Sequence, residues 1–327
     1  MARSNQGGSS DVRKGAPRAA ETALIERIRR RTAAGGGARG VRLGIGDDCA
    51  VLRVRRGEEM VVTTDFCLEG RHFRRDWHSA ESAGHRCLAR GLSDIAAMGA
   101  RPVAAFLSLA LPADYEMRWV DGFLHGLHTL AERFEVELAG GDTAEAPKDL
   151  VLADIVLVGA VAQGRALLRS GARAGDGVYV TGALGGSAAE LRRLAAGARS
   201  PKQSKEGYPQ SFPEPRVAVG RQLVRRKIAS ACMDLSDGLS TDLGHLCAAS
   251  GLGAEIDSRA LPIASGASLQ DALDGGEDYE LLFTSSGRVP AKLAGVPVTP
   301  VGTMVERKAV MLDGKRLKPG GWEHFSR

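Results

Sequence analysis

Apolar positions recur with two different periods along this chain, and the period changes about every ten to twenty residues. From near Glu21, "ETALIERIRRRTA" reads as a short helix closed by the glycine-rich turn "AAGGGARG". "VRLGIGDDCAVLRV" reads as a strand broken by a Gly-Asp-Asp turn, and "EEMVVTTDF" as a strand with a polar end. From Ser79, "SAESAGHRCLARGLSDIAAMGA" has helical spacing and is stopped by Gly99 and Pro102. "VAAFLSLAL" is a buried strand. "DYEMRWVDGFLHGLHTLAERF" is an amphipathic helix with Trp119, Phe123, Leu127 and Leu130 on one face. "EVELAGGDT" runs into a Gly-Gly-Asp turn, and "VLADIVLVGAV" closes this half.

Around Gly164 the pattern restarts. "GVYVTGALGGSAAELRRL" reads as strand, glycine turn and helix; "ACMDLSDGLSTDLGHLCAAS" as strand, acidic turn and helix; "YELLFTSS" and "VTPVGTMV" as strands. The fold class expected is α+β: an N-terminal half over residues 21–163 and a C-terminal half over 164–327, preceded by a disordered basic tail over 1–20. Residues 198–216, with Pro201, Pro209, Pro213 and Pro215, read as a mobile surface loop.

Composition sharpens this. With 327 residues and a 43% hydrophobic share, the chain can bury a sizeable core. The 42 glycines favour tight turns and close approach of backbone to ligands. An aromatic share of 5% argues against a base-stacking platform. The net charge of +5 owes much to the tail, where Arg3, Arg13, Lys14 and Arg18 face Asp11 alone, so no nucleic-acid partner is expected. No apolar run spans a membrane, and no secretory signal is expected. Cys49, Cys67, Cys87, Cys232 and Cys247 are odd in number and lack CxxC spacing. They read as small buried hydrophobes of a cytoplasmic protein.

The candidate chemistry lies in short acidic segments: Asp47-Asp48 in "GIGDDCA", Asp65 in "TTDF", Asp94 in "GLSDIAAMGA", Asp142 in "GGDT", and Asp234 with Asp237 in "DLSDGL". Each alone is ordinary turn or cap chemistry. Gathered in space, the carboxylates would repel one another without cations, and their oxygens suit a hard ion such as Mg2+. Asp242, further into the same helix, reads as solvated. Walker-A, GxGxxG, HExxH and GxSxG patterns are absent. "VTGALGGSAAEL" lacks the phosphate-loop lysine and reads as a tight strand-to-helix turn. His125 and His128 read as structural or exposed.

Together, "GIGDDCAVL", "TTDFCLEGRHF", "LSDIAAMGARP", "GGDT", "LRSGARAGD", "DLSDGLSTDLGH" and "GGEDYELLFT" resemble, in order, the motifs of the thiamine-monophosphate kinase family. The resemblance runs from about residue 21 to 327. It implies a two-domain fold like aminoimidazole ribonucleotide synthetase: an N-terminal α/β half whose sheet forms a homodimer, and a C-terminal α+β half. It implies ATP-dependent phosphorylation of thiamine phosphate to thiamine diphosphate, by direct in-line transfer assisted by several Mg2+ ions. The metal ligands it implies are Asp47 or Asp48, Thr63, Thr64, Asp65, Asp94, Asp142, Asp234 and Asp237. ATP would meet Gly141, Asp142, Arg169 and Ser236. Thiamine phosphate would meet His72, Glu277 and Trp322, the last preferred over Phe325. Phe123 and Leu124 are candidates for the adenine side.

The residues suit that chemistry. ATP brings about four negative charges and the acceptor about two more, so charge neutralisation comes first. The acceptor oxygen is ionised at neutral pH, and no general base is expected. Rivals of the same fold are the aminoimidazole ribonucleotide and selenophosphate synthetases and the hydrogenase-maturation dehydratase. The tail lacks the cysteine expected of the second, and "HFSR" lacks the terminal cysteine expected of the third. A non-catalytic nucleotide- or thiamine-binding module would show a broken acidic set.

Overall fold

The computed structural model describes residues 27–30, 41–43, 51–53, 55–205 and 207–322. The tail, Asp47, Asp48, Cys49 and Phe325 lie outside the described residues. Strands β1 (Val41–Leu43) and β2 (Val51–Leu52) pair antiparallel. They flank the interval of sequence that carries Gly46, Asp47 and Asp48.

The first large sheet contains β3 (Glu58–Leu68), β4 (Arg101–Leu111), β5 (Glu137–Glu145) and β6 (Leu152–Ala162) in the order β3-β6-β4-β5. Its β4–β5 pair is parallel, and the others are antiparallel. Parallel neighbours need a crossover, which helix α2 (Met117–Arg133) supplies. Helix α1 (Ala80–Ala97) joins β3 to β4. Period-two alternation splits β3: Val61, Thr63, Asp65 and Cys67 face the helices, while Met60, Val62, Thr64 and Phe66 face away. Val62 and Phe66 are 63% and 62% exposed.

Helix α1 is the hub of the molecule. A Cβ on Gly84 would lie 1.8 Å from the Phe123 carbonyl oxygen, and one on Gly126 would lie 1.9 Å from that of Glu81, so glycine lets α1 and α2 cross backbone to backbone. Phe123 and Leu124 are fully buried in this contact, which removes them from the adenine side. The amphipathic face read from the sequence therefore packs as core. His125 is exposed, and His128 is partly buried.

The second half holds β7 (Gly177–Thr181), α3 (Gly186–Ala195), α4 (Val217–Arg225), β8 (Ala231–Asp234), α5 (Leu239–Ser250), β9 (Gly253–Ile256), α6 (Leu269–Asp274), β10 (Leu281–Ser285), β11 (Lys292–Leu293), β12 (Val296–Val305), β13 (Val310–Leu312) and β14 (Lys315–Arg316). Its sheet has the order β14-β13-β9-β12-β7-β10-β8, with β11 on β12. One core cluster crosses between halves: Leu88 and Leu92 of α1 join Leu223 of α4, Cys232 of β8 and Phe283 of β10. Cys67, Cys87, Cys232 and Cys247 are buried and free. Among the described residues, no helix is long and apolar enough to cross a membrane.

Residues 198–216 differ from the expected mobile loop. Gln210, Ser211 and Phe212 are buried, 2%, 0% and 7% exposed. The buried Glu190 of α3 accepts the backbone N–H groups of Gln210 at 2.7 Å and Ser211 at 3.2 Å. Ser82 and His85 of α1 bond the carbonyls of Ser211 and Pro213, each at 2.8 Å. The polarity that suggests solvent is satisfied inside the protein, so this stretch straps the C-terminal half to α1.

Candidate functional site

Three of the acidic positions, Asp65, Asp94 and Asp234, are placed by the ends of β3, α1 and β8. Asp65 and Thr63 point from β3 toward α1, where the Thr63 hydroxyl donates to Asp94. Ser93, on the adjoining face of α1, donates to Asp234 at 2.6 Å. Asp234 ends β8 in the other half of the chain and is buried. Burial pushes the Asp65 carboxyl up to about 7, and nearby Asp94 and Asp234 push the same way. Burial, then Asp94, raises Asp234 to about 6, while Arg169 opposes. These oxygens share a poorly solvated space with too little positive charge.

Asp242 does not sit in solvent. It is 1% exposed, and its Oδ2 accepts the backbone N–H groups of Ser236, Asp237 and Gly238 at 3.0, 3.1 and 3.1 Å. It thereby folds the "LSDG" turn back onto the first turn of α5. Burial, with Asp234 and Asp237 nearby, raises it to about 8. The turn presents Ser236 and Asp237 half-buried beside Asp234. Asp237, Asp242 and His245 have ligand atoms within 4.8 Å of one another.

Asp142 and Thr64 lie elsewhere. Asp142 registers with Ser108, Ser108 with Asp154, and Asp154 with Phe66, so all four share the face turned away from the helices. Thr64 donates to Asp154 at 2.8 Å on that face. Three interstrand spacings put β5 roughly 14 Å from β3, so Asp142 does not join Asp65 within one chain. Gly141 precedes it at φ 153°, and a Cβ there would stand 1.9 Å from the Leu107 carbonyl oxygen. Only glycine fits. Asp154 is a residue sequence reasoning missed, although an aspartate interrupting "VLADIVLV" is a readable signal.

Two of the three expected acceptor-binding residues, His72 and Glu277, meet through one arginine. Arg86 of α1 is fully buried. Its Nε donates to the His72 carbonyl at 3.0 Å, its Nη2 to Glu277 Oε1 at 2.7 Å, and its Nη1 to the Gln210 carbonyl. His72 accepts the Leu68 N–H on Nδ1 at 2.9 Å, which leaves the imidazole proton on Nε2. Burial disfavours the Glu277 carboxylate, but Arg86 and Arg90 outweigh it and hold the group below the ordinary glutamate value. Glu277 and Tyr279 have φ of 54° and 51°, a strained conformation for side-chain-bearing residues. Arg86 and Arg90 also carry a readable signal, two like charges four residues apart on a helix whose other residues are mostly small or apolar.

"EDYE" is not an exposed turn. Asp278 accepts the N–H of Gly185 at 2.6 Å, and Glu280 pairs with Arg216 at 2.7 Å. Trp322 is 51% exposed and is anchored by its N–H to the Asp237 carbonyl at 3.0 Å. With Asp237, Thr241 and His245 it lines a cavity of about 500 Å3. Glu277 hangs from the same turn by its N–H to the Ser236 carbonyl at 2.8 Å. Arg169 lies close enough to Asp234 to lower its pKa.

Comparison with known proteins agrees with this architecture. The AIR synthase related protein N-terminal domain matches residues 46–161, and the corresponding C-terminal domain matches 173–311. Thiamine-monophosphate kinase of Salmonella typhimurium is 39% identical over 308 residues, covering 88% of this chain and 93% of that protein. The crystal structure of thiamine-monophosphate kinase from Stenotrophomonas maltophilia superposes with a TM-score of 0.79 at 36% identity, over 90% of this chain and 96% of that one. A structure described as AaThiL complexed with AMPPCP and TMP superposes with a TM-score of 0.74 at 31% identity, over 93% and 97%.

Proposed function

The chain belongs to the thiamine-monophosphate kinases of the AIR synthase related family, and on that premise we propose that it transfers the γ-phosphoryl group of ATP directly to thiamine phosphate, giving thiamine diphosphate and ADP. The observation that carries the reading is the convergence of Asp65, Asp94 and Asp234 from both halves of the chain, beside a second group in which Arg86 ties His72 to Glu277.

The inner carboxylates fit a hard divalent cation: they are oxygen donors, they are close, and burial and mutual repulsion raise Asp65 and Asp234. Asp65, Asp94, Asp234, Asp237 and the Thr63 hydroxyl would hold Mg2+ there, with Asp47 or Asp48 as further ligands. Thr64 and Asp142 would serve ions on the opposite face. Bound Mg2+ would neutralise the polyphosphate charge that otherwise keeps donor and acceptor apart. Gly141, Asp142, Arg169 and Ser236 would hold ATP. His72, Glu277 and Trp322 would hold thiamine phosphate, the last by stacking. The acceptor oxygen is already ionised, so the protein's task is positioning.

A homodimer built on the outer face of the first sheet belongs to the same reading. That face exposes Met60, Val62 and Phe66, and it carries Thr64 and Asp142. A second copy there would cover the apolar residues and bring further oxygens toward a nucleotide. Among the described residues nothing calls for membrane attachment, and we place the enzyme in the cytoplasm.

The test is incubation with thiamine phosphate, ATP and Mg2+, with thiamine in parallel. Thiamine diphosphate should form from thiamine phosphate alone, with inversion at a chiral γ-thiophosphate. Phosphorylation of free thiamine, or retention at phosphorus, overturns the reading.

A further inference from the structure

Helix α1 is buried on nearly every side. Among its residues only Ala80, Glu81, Arg90 and Asp94 are not buried. Arg90 and Asp94 are one turn apart on the stretch that opens into the site, and Arg86 lies one turn before Arg90. At 1.5 Å rise per residue, Arg86, Arg90 and Asp94 form a stripe with about 6 Å between successive members. Arg86 holds His72 and Glu277 at one end, and Asp94 lies with Thr63 and Asp65 at the other. Arg90 stands midway.

The two arginines differ in how their donors are used. The Arg86 guanidinium is engaged at each of its three nitrogens and has no exposure. Arg90 reaches Tyr279 Oη at 2.7 Å, but Glu277 only at 3.3 Å and Asp65 only at 3.5 Å. Its Nε is buried and has no hydrogen-bond partner. Tyr279 is 2% exposed and fixes the guanidinium from one side. A residue present only to neutralise two carboxylates would pair with them closely. Arg90 instead keeps a planar set of underused donors between them.

We propose that Arg90 is a catalytic residue that contacts the phosphoryl group as it passes from donor to acceptor; this rests on the kinase reading above. In that step a lone pair on an acceptor-phosphate oxygen forms the new P–O bond to the γ-phosphorus. The bond from that phosphorus to the β,γ-bridging oxygen breaks, and this oxygen leaves with the electron pair on ADP. Charge spreads over the three equatorial oxygens of the transferring group, and a fixed guanidinium matches their geometry. Arg90 occupies the place between the acceptor-side carboxylate Glu277 and the donor-side carboxylate Asp65.

The experiment compares the full-length wild type with Arg90→Met and Arg90→Lys. It measures kcat, KM for each substrate, and affinity for ADP with aluminium fluoride in the presence of thiamine phosphate. Arg90→Met should lower kcat by about 100- to 1000-fold, with KM values within a few-fold. It should lose a similar factor of affinity for the aluminium fluoride complex while binding ADP alone as the wild type does. Arg90→Lys should fall between. If Arg90→Met does not fold, Tyr279→Phe, which frees the guanidinium, should show a smaller loss of the same kind. Losses confined to KM, or an unchanged aluminium fluoride affinity in the folded variants, overturn the assignment. A wild type that forms no thiamine diphosphate from ATP and thiamine phosphate overturns the kinase reading instead.

Discussion

Ser93 of α1 donates its hydroxyl proton to Asp234 at the end of β8, 2.6 Å away, so a helix of the first half orients a carboxylate of the second. The bond favours the ionised form of Asp234 against burial and Asp94. Ser93→Ala should cost about 1–3 kcal/mol, because it leaves a buried acceptor short of a partner. It should also raise the half-saturating Mg2+ concentration roughly tenfold, in line with losses on removing a group that orients a metal ligand. A magnesium activation curve identical to that of the wild type would separate Ser93 from metal binding.

Asp65→Asn removes a carboxylate that its surroundings already disfavour. Burial and the Asp94 and Asp234 charges raise Asp65, so the variant should be as stable as the wild type, or more so, without metal. Turnover should nevertheless fall by about 1000-fold or more, since the oxygen donor set is broken. Asp142→Asn should do the same from the other face of the sheet, where Asp142 is exposed and bonds the N–H of neighbouring Thr143 at 2.9 Å. Full activity of either variant at saturating Mg2+ would remove that residue from the mechanism.

The same shifts set a pH dependence. Asp65 and Asp234 have folded-state values raised to about 7 and about 6, against 3.8 for the free group. Raised values mean that the folded state holds protons the unfolded state has released. Their stabilising contribution is full below about pH 4 and is lost as pH rises through 6 and 7. A divalent cation acts in the opposite sense, because it needs the ionised carboxylates. The thermal shift produced by Mg2+ should therefore be small at pH 5.5 and larger at pH 8. Equal shifts at the two pH values would contradict an ion held by these carboxylates.

Much of this arrangement is legible in the sequence, and the unread part has a physical pattern. The alternation in "EEMVVTTDFCL" places Asp65 and Thr63 on one face of β3 and Thr64 on the other before any contact is known. What it cannot supply is the order β3-β6-β4-β5, which sets Asp142 three strands away. Asp242 and Arg86 were illegible for another reason. A charged residue reads as solvated unless its partners are known. Arg86 finds Gln210 and Glu277 at separations of 124 and 191 residues. Asp242 bonds backbone groups only four to six residues back, but its burial comes from the packing of the whole half. The "GGEDYEL" segment was recognisable as a motif. The positive φ values of Glu277 and Tyr279, which aim both side chains at α1, come from tertiary context.

The strap over residues 200–213 carries the last prediction. Glu190 accepts three donors from it, the N–H groups of Gln210 and Ser211 and the Ser211 hydroxyl. Glu190→Ala leaves all three buried without a partner, at a cost of about 3 kcal/mol or more. The damage should pass to the acceptor side alone. The Gln210 carbonyl engages Arg86, its side-chain amide donates to Glu277 at 3.2 Å, and its Oε1 lies 2.7 Å from His78 Nε2. Loosening Gln210 therefore takes one donor from Glu277 and one acceptor from Arg86, with no direct bond to Asp65, Asp94 or Asp234 broken. KM for thiamine phosphate should rise about tenfold while KM for ATP stays within a factor of two, and a protease should cut between residues 200 and 213 at a concentration that spares the wild type. Glu190→Gln, which keeps one carbonyl acceptor in place, should fall between. An equal rise in both KM values would mean that the strap supports the whole cleft rather than the acceptor side.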